Sequence, residues 1–316
     1  MEYVKRMRSL FALLIVTLSI SFLAINTTAV FGQMTTTTEE RTTALSFLNN
    51  IQTQKVRVGD IDIAYKIFGK GEPLLLIPGF AMTMDIWDPV TLYKLSSNHT
   101  IIIFDNRGLG KTTAGTKNWS IEQFANDTAG LIDALGIKKP VDILGASWGG
   151  YVAQELTLMH PQKVNKLILY GTDCGGNATI LSPQISPEFG RSIESGNATV
   201  DIFLSVLFPE QWIKENAAYV QEVFSAATPV PEANIQQQAQ TTYDWKGACD
   251  RLSNITKPTL VITGTDDIVR PPANSIMLAE KIPGAWLIQI RGGGHYVMFQ
   301  YPDQFAAALE TFLSVT

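Results

Sequence analysis

The stretch "VDILGASWGGYVAQ", residues 141–154, runs as an apolar strand, turns at Ser147 between Gly145 and Gly149, and continues as a helix. So tight a corner forces its central residue into a strained backbone conformation. Gly145 and Gly149, two residues either side, lack the Cβ atoms that would collide where strand and helix pass. The Ser147 hydroxyl is then lifted clear of the sheet, at a helix N-terminus whose N–H groups favour negative charge. That is a place for a nucleophile. The plain alternative is a turn serine bonded to its own backbone, and residues elsewhere in the chain separate the two.

Outward from this corner, short apolar runs recur: "PLLLIPG" (73–79), "TIIIFDNRG" (100–108), "KLILYGT" (166–172), "PTLVITG" (258–264) and "AWLIQIRGGG" (285–294). Runs without alternation suit strands buried on both faces, as in a mostly parallel sheet covered by helices. "KVRVGDIDIAYKIFG" (55–69) alternates on both sides of Gly59-Asp60 and predicts an antiparallel hairpin. Helical spacing fills the gaps, as in "SIEQFANDTAGLIDALG" (120–136), and a last helix is expected from Pro302 to Leu313. Residues 175–245 hold no strand-like run, several prolines and scattered aromatics, which predicts a helical cap inserted between two strands of one sheet.

A serine near neutral pH needs a base. The chain offers three histidines. His99, in a polar turn, is expected to be solvated, and His160 to end the helix that follows Ser147, away from it. His295 follows the last strand, where Gly292, Gly293 and Gly294 let the loop reach across the sheet. The base needs a carboxylate to fix its tautomer and stabilise its charged form. "TGTDDIVRPP" supplies Asp266 and Asp267, either of which could serve. The order Ser, Asp, His differs from that of the two other common triad folds.

With "FGKGEPLLLIPGF", "DNRGLGKT", "GASWGG", "GTDDIVRPP" and "GGGHY", the chain resembles the α/β-hydrolase superfamily, in its branch of haloperoxidase-like and enol-lactonase-like esterases. The resemblance spans about residues 56–313 and is weak over the cap. It implies an α/β-hydrolase fold, a mostly parallel eight-stranded sheet flanked by helices with an inserted helical cap. It selects Asp267 over Asp266, at the last place of Gly-x-x-Asp, beside Ser147 and His295. It also implies an oxyanion hole made by the backbone N–H groups of Phe80 and Trp148. Two positions depart from the family: Pro78-Gly79 stands where His-Gly is frequent, and Trp148 where an unbranched side chain is common. The Trp148 ring is expected to narrow the acyl pocket or cover the substrate. Asp105 and Arg107 are given a structural turn role.

The activity so implied is hydrolysis of small, apolar carboxylic esters or lactones through an acyl-enzyme, with no metal or organic cofactor. The alternatives are a proline-iminopeptidase-like peptidase, a C–C bond hydrolase, or a ligand-binding receptor module on the same fold. The net charge of −5, without basic runs interleaved by aromatics, speaks against a nucleic-acid partner.

Residues 1–32 carry Lys5, Arg6 and Arg8 ahead of an apolar stretch near Leu10–Ile25, which reads as a signal peptide or a membrane anchor. Either places the rest outside the cytoplasm, secreted or attached to the membrane by the N-terminal segment. Seven Asn-x-Ser/Thr sequons, at Asn26, Asn98, Asn118, Asn126, Asn177, Asn197 and Asn254, suggest a glycoprotein. Residues 33–54 read as a polar linker, 55–174 and 246–316 as the two parts of the hydrolase core, and 175–245 as the cap. Cys174 and Cys249 lack the company of a metal site. Two unpaired buried thiols are the favoured reading, one disulfide the alternative.

Overall fold

The computed structural model describes residues 36–195, 200–225 and 228–315. The leader expected over 1–32 and the sequons at Asn26 and Asn197 lie outside them. The apolar runs become one sheet of eight strands: β1 (Gln54–Val58), β2 (Ile61–Gly69), β3 (Glu72–Ile77), β4 (His99–Phe104), β5 (Val141–Ala146), β6 (Val164–Tyr170), β7 (Thr259–Gly264) and β8 (Trp286–Ile290). Their spatial order is β1-β2-β4-β3-β5-β6-β7-β8. Strands β1 and β2 form the expected hairpin, in which Arg57 faces Asp62. Strand β2 runs antiparallel to β4, and every pairing from β4 to β8 is parallel.

Alternate residues of the central strands feed two cores. Leu74, Leu76, Ile101, Ile103 and Ile168 pack on one face with the helices Pro89–Leu95 and Pro302–Ser314. Leu75, Ile77, Ile102, Ile143 and Leu169 pack on the other with Ile121–Ala134, Trp148–Met159 and Pro272–Lys281. Each fully buried aliphatic side chain contributes about 1.5–3 kcal/mol, so the continuous apolar pattern follows from helices on both faces. Strands β1 and β8, at the edges, each bury only their last residue.

The polar turn after β4 is held by ions. Arg107 is buried, and its guanidinium donates to both Asp127 oxygens at 2.7 Å and to Asp60 at 2.9 and 3.0 Å. Asp105 accepts from Met84 N and Lys111 N, each at 2.8 Å. Both side chains fold the turn and stay out of the cavity described below.

Between β6 and β7 lie the helices Pro187–Glu194, Val200–Leu207, Glu210–Ser225 and Glu232–Asp244. Cys174 and Cys249 form a disulfide, with Cα atoms 5.0 Å apart. The unpaired thiols favoured from sequence are therefore corrected. Ala248 N donates to Cys174 O at 2.7 Å, and this backbone pairing brings the departing and returning chain together. A separation of 75 residues hid that proximity.

The polar linker is corrected as well. Thr38–Asn49 is a helix, opened by a capping box in which Glu40 N donates to the Thr37 hydroxyl and Thr37 N to the Glu40 carboxylate. Its apolar side docks: Ala44 is buried, and the Phe47 ring meets Phe68 and Tyr93 at 5.8 and 5.3 Å. The spacing Ala44, Leu45, Phe47, Leu48, Ile51 is helical, and the threonines before it masked the start. His99 is also corrected: it opens β4, is buried, and sets Nε2 3.3 Å from Glu310.

Asp88 lies buried against the helix Glu210–Ser225, accepting from the Tyr219 hydroxyl (2.5 Å) and Thr91 N (2.7 Å). Burial pushes its pKa up to about 6 despite both hydrogen bonds. Burial raises Asp105 to about 6 too. A raised folded-state pKa means the native protein holds the proton more tightly than the unfolded chain. That contribution is present below the unfolded carboxylate range, near pH 4, and is lost as pH rises through about 6. Urea unfolding at several pH values should therefore show a negative slope over this window, shallower in Asp88→Asn. Equal slopes would remove Asp88 as a cause.

Candidate active site

The ends of β3, β5, β7 and β8 open on one edge of the sheet, as parallel strands require, and the sequence-selected residues come directly after them. Ser147 has φ 51° and ψ −120°, a strained conformation for a residue with a Cβ, and its N–H donates to Tyr170 O at 2.8 Å. A Cβ on Gly145 would strike Ala153, and one on Gly149 would strike the carbonyl oxygens of Ile77 and Pro78. Gly150 is equally constrained, by the Thr172 side chain, which the sequence did not signal. Gly149→Ala is expected to cost about 2–3 kcal/mol in urea unfolding, because backbone cannot yield as a side chain does. It should also lower activity, since the displaced carbonyls lead directly into Phe80.

His295 is buried, with Nδ1 2.8 Å from Asp267 Oδ2. An ionised carboxylate only accepts, so Nδ1 donates to it, and in the neutral ring Nε2 keeps its lone pair. The other Asp267 oxygen accepts from Val269 N at 2.9 Å and Arg270 N at 2.8 Å, which fixes the carboxylate plane. Asp266 is turned elsewhere: its side chain accepts from the Thr265 hydroxyl at 2.8 Å. His160 ends the helix that starts after Ser147 and pairs with Asn126 at 2.8 Å.

Ser147, His295, Phe80 and Trp148 line one cavity of about 160 Å³. Ser147 and His295 share it without a hydrogen bond between them. In ligand-free sites such contacts are often long and tighten when substrate binds. Among the described residues, neither the Phe80 nor the Trp148 N–H has a protein acceptor. Side chains of the helix Glu232–Asp244 pin both segments. Gln238 Oε1 accepts from Ala81 N at 2.7 Å, holding Ala81 at φ 55°, and Thr242 Oγ1 accepts from Trp148 Nε1 at 3.1 Å. The Trp148 ring packs edge-on against Phe124, with centroids 4.8 Å apart, so it forms a fixed wall.

Residues missed from sequence complete the lining. Arg270 is bound to Asp173 (Nε to Oδ2, 2.6 Å) and to the Tyr151 hydroxyl (3.0 Å). Tyr151 also donates to Asp173 at 2.9 Å, so one buried network joins the helix after Ser147, the β6 end and the loop of Asp267. Arg270 and Tyr296 stand within three residues of Asp267 and His295, a signal that was available. Gln238 sat in an unmarked polar helix and gave none. Among the described residues, no group of three or more His, Cys, Asp or Glu side chains is arranged to hold a metal ion.

The known proteins that the chain is similar to include hydrolases. The chain is 29% identical over 256 residues to a protein named as carbamate hydrolase RutD from Azorhizobium caulinodans, covering 80% of this chain and 96% of that one. It is 28% identical over 268 residues to 2-hydroxy-6-oxo-6-(2'-aminophenyl)hexa-2,4-dienoic acid hydrolase from Metapseudomonas resinovorans, covering 82% and 90%. Among solved structures, Est816, described as an N-acyl homoserine lactone degrading enzyme, superposes with a TM-score of 0.66 at 28% identity, covering 82% of this chain and all of that one. Residues 72–302 match the family described as alpha/beta hydrolase fold, and the chain belongs to that family of hydrolases.

Proposed function

We propose that the protein is a serine hydrolase that opens small carboxylic esters or lactones through an acyl-enzyme. Ser147 is the nucleophile, His295 the general base and Asp267 the carboxylate that orients it. The observation that carries the reading is the Asp267–His295 hydrogen bond, with His295 and Ser147 lining one cavity. In this mechanism His295 Nε2 takes the Ser147 proton as Oγ attacks the acyl carbonyl. The oxyanion is received by the Phe80 and Trp148 N–H groups, each worth about 3 kcal/mol of transition-state stabilisation. His295 then protonates the leaving oxygen, and water attacks the acyl-enzyme with the same base.

A cavity of about 160 Å³ is close to the size that holds a benzene ring, which favours short acyl groups. Its apolar walls, Phe203, Val206, Leu207 and Ala239 from the cap, support the same limit. As part of this proposal the protein works outside the cytoplasm, secreted or held by its N-terminal segment. The disulfide supports that placement, as do the exposed asparagines of the five described sequons. A fluorophosphonate probe should label the protein once per chain, at Ser147 by peptide mass, and block hydrolysis of 4-nitrophenyl butyrate. Labelling at another residue, or hydrolysis unaffected by the label, would overturn the assignment.

A further inference from the structure

We infer that the Tyr296 hydroxyl is a substrate contact, donating a hydrogen bond to an oxygen carried by the acyl group close to its carbonyl. The inference rests on the reading of Ser147 as nucleophile and narrows its substrates from apolar acyl groups to oxygen-bearing ones. Five tyrosines are buried: Tyr65, Tyr151, Tyr170, Tyr219 and Tyr296. Four of their hydroxyls have protein acceptors: Gln54 for Tyr65, Asp173 for Tyr151, the His295 carbonyl for Tyr170 and Asp88 for Tyr219. The Tyr296 hydroxyl has none among the described residues, although the residue is only 7% exposed. A hydroxyl that lines a cavity without a protein acceptor is free to donate to whatever occupies that cavity. Burial raises its pKa with no hydrogen bond acting on it, so it stays a neutral donor.

The ring is held firmly. Its backbone N–H donates to Leu207 O at 3.0 Å, and its ring packs against Phe208 and Phe299 with centroids 5.9 and 5.8 Å away. Tyr296 lines the cavity with Ser147. A Cβ built on Gly79 would lie 3.4 Å from the Ser147 Cβ and 3.8 Å from the Tyr296 hydroxyl, which sets the hydroxyl on the side of the loop leading to Phe80. That wall is polar beyond Tyr296 as well. A second, very small cavity shares Gly79, Met82 and Tyr296 with the first, and is also lined by Thr83 and Trp87. Among the described residues, Thr83 Oγ1 and Trp87 Nε1 are buried without a partner. The oxyanion already has two N–H donors in the proposed mechanism, so the hydroxyl is left for the acyl chain.

Two isosteric esters test this: 4-nitrophenyl methoxyacetate and 4-nitrophenyl butyrate differ by an oxygen in place of a methylene. Both are first shown to need Ser147, by loss of turnover in Ser147→Ala; turnover surviving there would strike the nucleophile assignment itself. Tyr296→Phe is then expected to lower kcat/KM for the methoxyacetate by about 10-fold or more, because the contact it loses is specific to that oxygen. The methoxyacetate-to-butyrate ratio of kcat/KM should fall by about as much, with an unchanged or higher unfolding midpoint, since no protein hydrogen bond is removed. Equal losses on both esters, or none on either, would overturn the Tyr296 contact while leaving Ser147 in place.

Discussion

Ser147→Ala should lower kcat for aryl ester hydrolysis by about 10⁵-fold or more with no loss of stability. The rate effect is large because nucleophile and base act as a unit, so removing either forfeits nearly the whole covalent route. On the proposed mechanism, what remains is polarisation of the carbonyl by the Phe80 and Trp148 N–H groups. Stability is spared because the Ser147 side chain makes no capping hydrogen bond to its helix. The backbone at φ 51° and ψ −120° stays strained in the alanine variant. Ser147→Gly relieves that strain and should gain about 1 kcal/mol, measurable as a raised urea midpoint. A Ser147→Ala enzyme within tenfold of wild type would place the chemistry on another residue.

Breaking the Cys174–Cys249 bridge should have the largest effect on stability. The bond closes a loop of sequence separation 75 and restricts the unfolded chain by about 4–5 kcal/mol on the loop-entropy account. It joins the chain where it leaves the core for the helices between β6 and β7 to where it returns. Cys174 also adjoins Asp173, which accepts from Gly175 N at 2.6 Å and the Thr179 hydroxyl at 2.8 Å and anchors Arg270. Urea unfolding with and without dithiothreitol, beside the Cys174→Ser/Cys249→Ser double variant, measures the difference. A loss below about 1 kcal/mol would mean the bridge does little to restrict the unfolded ensemble. Reduced protein should lose activity earlier than it unfolds if the Asp173–Arg270 pair is loosened first.

Sequence by itself determined the elements whose causes are local. Ser147 sits on its corner because Gly145 and Gly149 stand two residues away, and the central strands read correctly because burial on both faces leaves uninterrupted apolar runs. The loop bearing His295 was legible from its three glycines. The Thr37–Glu40 capping box was equally local and was overlooked among threonines. Tertiary structure alone decided which groups meet. Asp267 rather than Asp266 reaches His295 through the path of the loop, where family resemblance had to choose for the residues. The disulfide and the Gln238–Ala81 hydrogen bond join positions 75 and 157 residues apart, and His99 is buried by a helix more than 200 residues further on. The physical reason is range: steric and capping rules act between neighbours in the chain, whereas the partner of a buried polar group is set by the packing of distant segments, which only the folded topology brings together.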